Sequence, residues 1–393
     1  MIPAMDILVI SFSNLATDAR VRRQIGALCD RYTVGTAALG ADGREGKLHW
    51  TLPWEDHHLG LPPLLRKMVS AGMHARRYIT RHVLRDPEAA YWEGHRRAAW
   101  RMIRHLRPAL IIANDLDALP LAIRLADGRA KVVFDAHEFS PRQHENDPEW
   151  MREHQPIWEY LCKRYMPLAD ACFTVSEGIA EAYLELTGIR PAVLTNAVPY
   201  EELSPVTTDP RRIKLVHHGM ASPQRRIAEL VEMMDALRDT HELHLFLRPA
   251  RNAAYGERIA ALCATRDHVH LHPSIAPDDI ARAINAFDIG VHHLHADTFN
   301  HRYALPNKLF EFVQARLAVV VTPNPAMADL VRKHDLGPVA NGHSMEAVLE
   351  AIRALDAGRI MRHKAAANAA ARELSAERGA DLLREVVARL LGH

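Results

Sequence analysis

No glycine-rich phosphate loop follows the first apolar run of this chain. Phe12-Ser13-Asn14-Leu15-Ala16-Thr17-Asp18 contains no glycine, so the GxGxxG fingerprint of dinucleotide oxidoreductases is missing. GxxxxGK[ST], GxSxG and HExxH are missing as well, which removes support for the common nucleotide-hydrolysing, serine-hydrolase and metalloprotease readings. Cysteine is scarce. Cys29, Cys162, Cys172 and Cys263 are scattered with no CxxC pair, so neither a zinc knuckle nor a disulfide framework is implied, and a reducing cytoplasm fits best. No stretch approaches the roughly 20 apolar residues that span a bilayer, and the opening Met-Ile-Pro-Ala-Met-Asp-Ile-Leu-Val-Ile lacks a basic region followed by a long apolar one. Neither secretion nor membrane integration is expected. Charge of one sign is not in excess either: the formal net charge is +1, so only local clusters can steer the protein to an anionic partner.

What is present is the composition of a soluble globular protein, 48% hydrophobic and 25% charged over 393 residues, a length that favours two domains. Short apolar runs alternate with amphipathic stretches. Asp6–Phe12 reads as a strand, the polar Ser13-Asn14-Leu15 as a loop, and Ala19–Leu28 as a helix with Val21, Ile25 and Leu28 on one face. Further strands are expected at Ala109–Ala113, Lys131–Phe134 and Ala171–Val175, the last followed by Ser176 as a helix N-cap. A proline-rich stretch through Pro199, Pro205 and Pro210 reads as an interdomain linker, after which strand and helix alternate again from Ile213 to Thr322. Beyond Ser344 the sequence is helical and rich in Ala, Arg, Glu and Leu. The expected architecture is α/β: two facing Rossmann-like domains, 1–200 and 211–374, with a C-terminal helix, 375–393, that crosses back to the first. In such folds ligands meet the carboxyl ends of the strands, so the cleft between the domains is the expected site.

The segment Tyr303-Ala304-Leu305-Pro306-Asn307-Lys308-Leu309-Phe310-Glu311 is the most informative. Pro306 and Asn307 suit a helix start, whose unpaired N–H groups and positive dipole end hold phosphate. Lys308 in the first turn could neutralise a diphosphate, and Glu311 could accept from both hydroxyls of a ribose. On pattern alone, an amphipathic helix with a solvated Lys and Glu is an equal reading. The histidine-rich His292-His293-Leu294-His295 with nearby His301 suggests a metal, but no compact ligand set emerges, and no metal is assigned.

The stretch from Ala304 to Val321 resembles the "PxKxxE…VV" segment of the group 1 (family four) glycosyltransferases of the GT-B fold. Other matches follow in the same order along the chain: Asp18-Ala19-Arg20-Val21-Arg22, Phe134-Asp135-Ala136-His137-Glu138, His218-Gly219-Met220 through Arg225-Arg226-Ile227, Val269 through Ser274-Ile275, and Ile289-Gly290-Val291. The resemblance implies a donor nucleotide-sugar site of Gly219, Arg225, Ser274, Ile275, Asn307, Lys308, Leu309 and Glu311. It implies acceptor contacts from Asn14, Asp18, Arg20 and Asp115, and catalytic roles for His137, Arg225 and Lys308. His137 would orient the sugar or polarise an acceptor hydroxyl, with Asp135 and Glu138 positioning it. Retention of anomeric configuration without a metal or other cofactor is also implied, the leaving phosphate helping to deprotonate the acceptor. Two positions depart from the family: Tyr303 stands where a first Glu is common, and Met220 where a basic residue is common. Phosphate neutralisation then falls to Arg225 and Lys308, with Arg226 or Arg248.

Between Leu64 and Arg107, eleven cations, among them Arg66, Lys67, Arg76, Arg77, Arg81, Arg85, Arg96, Arg97, Arg101 and Arg104, face only Asp86, Glu88 and Glu93, with Tyr91, Trp92 and Trp100 supplying apolar bodies. This suits an anionic membrane surface, and so a cytoplasmic protein peripheral on the inner face of the cell membrane; a solvated helical face is the equal alternative. No nucleic-acid module accompanies the charge. The implied function is sugar transfer from a nucleoside-diphosphate sugar to a saccharide or lipid-linked acceptor, as in surface polysaccharide assembly. A sugar-nucleotide epimerase of the same fold and a noncatalytic nucleotide-sugar binder are the alternatives.

Overall fold

The computed structural model describes residues 5–40, 48–53, 86–249 and 252–393. They divide into two units, Met1–Leu194 with Ala380–His393, and Thr195–Gly379. In the first unit β1 (Ile7–Asn14), β2 (Val34–Leu39), β3 (His49–Thr51), β4 (Leu110–Asn114), β5 (Lys131–Ala136), β6 (Ala171–Thr174) and β7 (Ala192–Val193) form a sheet in the order β3-β2-β1-β4-β5-β6-β7. Every pairing in it is parallel. The apolar runs of β1, β4 and β5 are buried on both faces, as a parallel sheet requires. Asp18 starts the Ala19–Leu28 helix by accepting a hydrogen bond from the Val21 N–H at 3.1 Å, and Val21, Ile25 and Leu28 pack into the core with Ile7 and Val9. Leu383, Val386 and Val387 of the last helix, Ala376–Leu391, join the same core. Arg384 fixes this helix further by donating through Nε to the carbonyl oxygen of Ala27 at 2.9 Å.

The pair β2 and β3 has no counterpart among the expected strands. β2 reads Val-Gly-Thr-Ala-Ala-Leu, whose small residues carry little strand propensity, and it is ordered by pairing with β1. Ser176 takes the N-cap position of the Glu177–Thr187 helix, but its hydroxyl makes no capping hydrogen bond.

In the second unit β8 (Ile213–Met220), β9 (His241–Arg248), β10 (Val269–His272), β11 (Ile289–His292) and β12 (Ala318–Val321) form a parallel sheet in the order β10-β9-β8-β11-β12. Gly290 in β11 is a packing requirement: a Cβ there would sit 2.4 Å from the Phe312 ring, so only glycine lets the Asn307–Gln314 helix lie this close. The proline-rich stretch expected as a linker belongs to this unit instead. Ala197 and Val198 lie in its core. The fully buried Arg316 donates to the Glu201 carbonyl oxygen at 2.6 Å, and the buried Lys364 to the Val206 carbonyl oxygen at 2.7 Å and the Asp288 carboxylate at 3.0 Å. Buried cations need every acceptor they can reach, and this segment's backbone supplies two.

Candidate functional site

Strand order reverses between β8 and β11 in the second unit, and doubly wound sheets bind ligands outside the carboxyl ends of their strands at such a switch point. His217, His218 and Gly219 end β8, His292 ends β11, and the N-terminus of the Asn307–Gln314 helix meets them. Pro306 occupies the N-cap and offers no capping side chain; the Leu309 N–H is spent on the Pro306 carbonyl oxygen at 3.1 Å, and among the described residues the Asn307 and Lys308 N–H groups are left for another acceptor. Lys308 is buried, with Nζ 3.2 Å from Nε2 of His217. Nδ1 of that imidazole faces the Val291 carbonyl oxygen at 3.0 Å. Nδ1 therefore donates to the carbonyl and Nε2 accepts from Lys308. Gly219 adopts φ +116°, a conformation that side chains resist, and a Cβ there would stand 3.6 Å from Lys308 Nζ.

The electrostatics of this cluster are those of a site for an anion. Burial, then the charge of Arg225, pushes the Lys308 ammonium well below its ordinary pKa, with Glu311 opposing. Burial, then Lys308, pushes His217, His218 and His292 well below theirs. Arg225, at the end of the Pro223–Arg225 turn, is itself pushed down by burial, and among the described residues its guanidinium has no hydrogen-bond or ion-pair partner. Both ring nitrogens of His292 are buried without a hydrogen-bond partner among the described residues. Glu311, one turn beyond Lys308 on the same helix face, lies 3.3 Å from His218 Nε2, a contact without hydrogen-bond alignment. Cations and buried donors converge here around one carboxylate, and an anion entering among them would offset their desolvation.

The structure thus brings Gly219, Arg225, Lys308 and Glu311 together, with Asn307 opening the helix. Leu309 is fully buried and serves the core. Ser274 and Ile275 follow β10, which lies two strands from β8, roughly 10 Å across the sheet; Ser274 is exposed and Ile275 packs against the core. His217, His218 and His292 were not among the expected site residues. His218 stands in a segment that resembles the family and His292 opens the histidine-rich run, but the signal that joins all three is that each ends an apolar run where a doubly wound strand delivers its site.

In the first unit the reversal falls between β1 and β4. His137, just past β5, holds Nδ1 3.2 Å from the Asp115 carboxylate and Nε2 3.1 Å from the Asn114 side-chain oxygen and 3.5 Å from Asp135. Burial alone would lower its pKa, but Asp115 and Asp135 outweigh that and raise it above the ordinary value. Asp135 is buried yet held well below the usual carboxylate range, because Arg20 grips both its oxygens at 2.8 and 2.6 Å. Gln24 adds a further hydrogen bond to Asp135. Burial, then the Asp115 charge, pushes Glu138 up to about 8. The Asn114 side-chain nitrogen is buried without a partner among the described residues, a second donor that reasoning from sequence passed over.

The expected acceptor contacts separate here. Arg20 is buried on Asp135 and also donates to the Leu194 carbonyl oxygen at 2.8 Å; Asp18 caps its helix and accepts from the Ser13 hydroxyl at 2.6 Å. Asn14 is exposed, with its side-chain oxygen accepting from the Ala16 N–H at 3.0 Å, and Asp115 stands at φ 63° against His137. Of the basic segment, Arg66, Lys67, Arg76, Arg77, Arg81 and Arg85 lie outside the described residues. Within them, Arg96 pairs with Asp117, Arg97 donates to the Trp92 carbonyl oxygen, and Arg101, Arg104 and Arg107 are exposed. Tyr91 and Trp92, offered above as apolar bodies for a membrane, are buried. No described helix is long and apolar enough to cross a membrane.

A family model described as Glycosyltransferase Family 4 matches residues 53–202, and one described as Glycosyl transferases group 1 matches residues 212–357. No curated protein matches the sequence. Among solved structures, sucrose-phosphate synthase from Thermosynechococcus elongatus is similar at 14% identity and a TM-score of 0.69, covering 99% of this chain and 100% of its own. Anabaena Alr3699/HepE, in complex with UDP and glucose, is similar at 14% identity and a TM-score of 0.67, covering 98% and 100%. The E. coli trehalose-6-phosphate protein bound with UDP-2-fluoro glucose follows at 12% and 0.66, covering 97% and 98%. With two consecutive family models spanning more than half of its residues and two parallel-sheet units of the GT-B fold, this chain belongs to the group 1 glycosyltransferases.

Proposed function

We propose that the protein transfers a sugar, with retention and without a metal, from a nucleoside-diphosphate sugar held in the second unit to a saccharide or lipid-linked acceptor. The observation that carries this reading is the convergence at the β8/β11 switch point of a helix N-terminus and Arg225, both without partners among the described residues, with Lys308 and, one turn further on, Glu311. Helix N–H groups and the two cations stabilise the departing diphosphate where its charge grows, and the Glu311 carboxylate accepts from the ribose hydroxyls. UDP in the HepE structure and UDP-2-fluoro glucose in the E. coli structure support a nucleotide-sugar donor for this chain too. The His137 cluster of the first unit acts on the sugar or acceptor side: both ring nitrogens face protein acceptors, Asp115 on one side and Asn114 and Asp135 on the other, so the ring donates to a ligand when the ligand displaces one of them. Gly219, Asn307, Ser274 and Ile275 complete the donor site, and Asn14, exposed at the end of β1, and Asp115, held against His137 by its backbone N–H and its ring, are the acceptor-side candidates.

Incubating the protein with a panel of nucleotide sugars, with and without saccharide and lipid-linked acceptors, tests this reading. Acceptor-dependent release of nucleoside diphosphate supports it; turnover without acceptor indicates an epimerase, and binding alone a noncatalytic protein. Assembly of a surface polysaccharide, with the basic 64–107 stretch resting on the inner face of the cell membrane, extends the proposal. Replacing Arg76, Arg77 and Arg81 with Glu should then abolish salt-sensitive sedimentation with anionic vesicles, and unchanged sedimentation would remove the membrane from the account.

A further inference from the structure

We propose that Glu242, His244 and His270, with His272 beside them, form a binding site for one zinc ion on the second unit's sheet, apart from the anion cluster. The register of the parallel β9/β10 pair creates it. His270 lies opposite His244 and His272 opposite Phe246, while Glu242 precedes His244 by two residues and so shares its face. Nε2 of His244 is 3.3 Å from a Glu242 oxygen, Nδ1 of His244 is 3.0 Å from Nε2 of His272, and Nε2 of His270 is 3.9 Å from the other Glu242 oxygen. The ligating atoms of Glu242, His244 and His270 all lie within 4.8 Å of one another. Neighbouring ligands around a tetrahedral zinc, each about 2.1 Å from the metal, stand roughly 3.4 Å apart. Small side-chain rotations would therefore bring these three donors onto one ion, with a water in the fourth position, while His272, on the opposite nitrogen of His244, holds that ring in place.

The surroundings fit a metal as well as the spacing does. The Phe287 ring lies 4.7 Å from that of His244 and the Phe246 ring 4.6 Å from that of His272, an apolar wall behind the donors. Arg212 donates to one Glu242 oxygen at 2.8 Å and orients the carboxylate, leaving the other toward His244. His270 is 37% exposed, which gives an ion a way in from solvent. Imidazoles with one carboxylate suit zinc and not calcium or magnesium, which demand oxygen shells. Glu242 and His244 precede Arg248, at the carboxyl end of β9, by four to six residues, on the order of 13–20 Å along the strand. The ion would tie the edge strand β10 to β9 and take no part in sugar transfer.

The test uses untagged full-length protein, stripped by dialysis against a chelator, then titrated with zinc against a chromophoric competitor. One equivalent should bind, saturating zinc should raise the thermal unfolding midpoint, and cobalt(II) in place of zinc should give the intense visible bands of a tetrahedral site. The His244→Gln/His270→Gln double variant should lose the equivalent and the thermal shift, while His292→Gln keeps both. Should the double variant fail to fold, Glu242→Gln alone should weaken zinc binding at least tenfold. A parent protein that cannot compete for zinc, or the same stoichiometry and affinity in the double variant or in Glu242→Gln, would overturn the proposal.

Discussion

Lys308 points its Nζ at Nε2 of His217 over 3.2 Å, and that nitrogen is an acceptor because the opposite side of the ring is spent on the Val291 carbonyl. A buried amine and a buried imidazole, both driven below their ordinary pKa values, thus share a hydrogen bond. A diphosphate entering beside them favours their protonated forms. Their pKa values rise on binding, so protons are taken up and affinity falls as pH rises. Calorimetric titration of a nucleoside diphosphate in buffers of different ionisation enthalpy should show net proton uptake near neutral pH; zero exchange would mean that binding leaves the protonation of the cluster unchanged.

The two cations should matter more to the rate than to binding. They meet charge that grows as the sugar–phosphate bond breaks, so Lys308→Ala and Arg225→Ala should each lower turnover by about a hundredfold or more, and donor affinity by less. Steady-state rates set against donor binding constants measure that split. Equal losses in both would assign the two residues to ground-state binding alone.

A different kind of effect is expected at the Arg20–Asp135 pair. Arg20→Met strands a buried carboxylate that also touches His137, and removing one partner of such a pair costs about 3–5 kcal/mol. In the parent the depressed Asp135 pKa stabilises the fold fully above the ordinary carboxylate range, and this contribution is lost progressively as pH falls below that range toward the group's own depressed pKa. Urea unfolding at neutral pH measures the cost, and a change below 1 kcal/mol would show the pair to be solvated.

Much of this was legible in sequence, for a physical reason. Doubly wound sheets advertise themselves by apolar runs followed by polar turns, and Ile7–Asn14, Leu110–Asn114 and Ile289–His292 announce both sheets and both switch points. Lys308 and Glu311 were found because a helix start is a local signal. What escaped depended on distant partners. The small residues of β2 acquire strand structure only beside β1. Arg20 reads as an acceptor contact until Asp135 is folded against it. The 195–210 stretch reads as a linker because its prolines are visible, while the buried Arg316 and Lys364 that pin its carbonyls lie more than a hundred residues away.

Transfer itself should persist after the protein is stripped with a chelator, because the leaving diphosphate meets Arg225, Lys308 and helix N–H groups. Turnover of stripped protein should match the parent at a temperature where both are folded, even if its unfolding midpoint falls through loss of zinc from the β9/β10 site. Abolished turnover, restored by magnesium or manganese, would put a divalent ion on the diphosphate.

The most direct test is calorimetric titration of nucleoside diphosphate into the parent, Glu311→Ala and His137→Ala, with sugar transfer measured on the same samples. Glu311→Ala should weaken nucleotide binding at least tenfold, because its carboxylate holds the ribose in ground and transition states alike. His137→Ala should bind nucleotide as the parent does and lose transfer by a hundredfold or more, since its partners are Asp115, Asn114 and Asp135 of the first unit. Parental nucleotide affinity in Glu311→Ala, or parental transfer in His137→Ala, would contradict the assignment of donor and acceptor chemistry to these two sites.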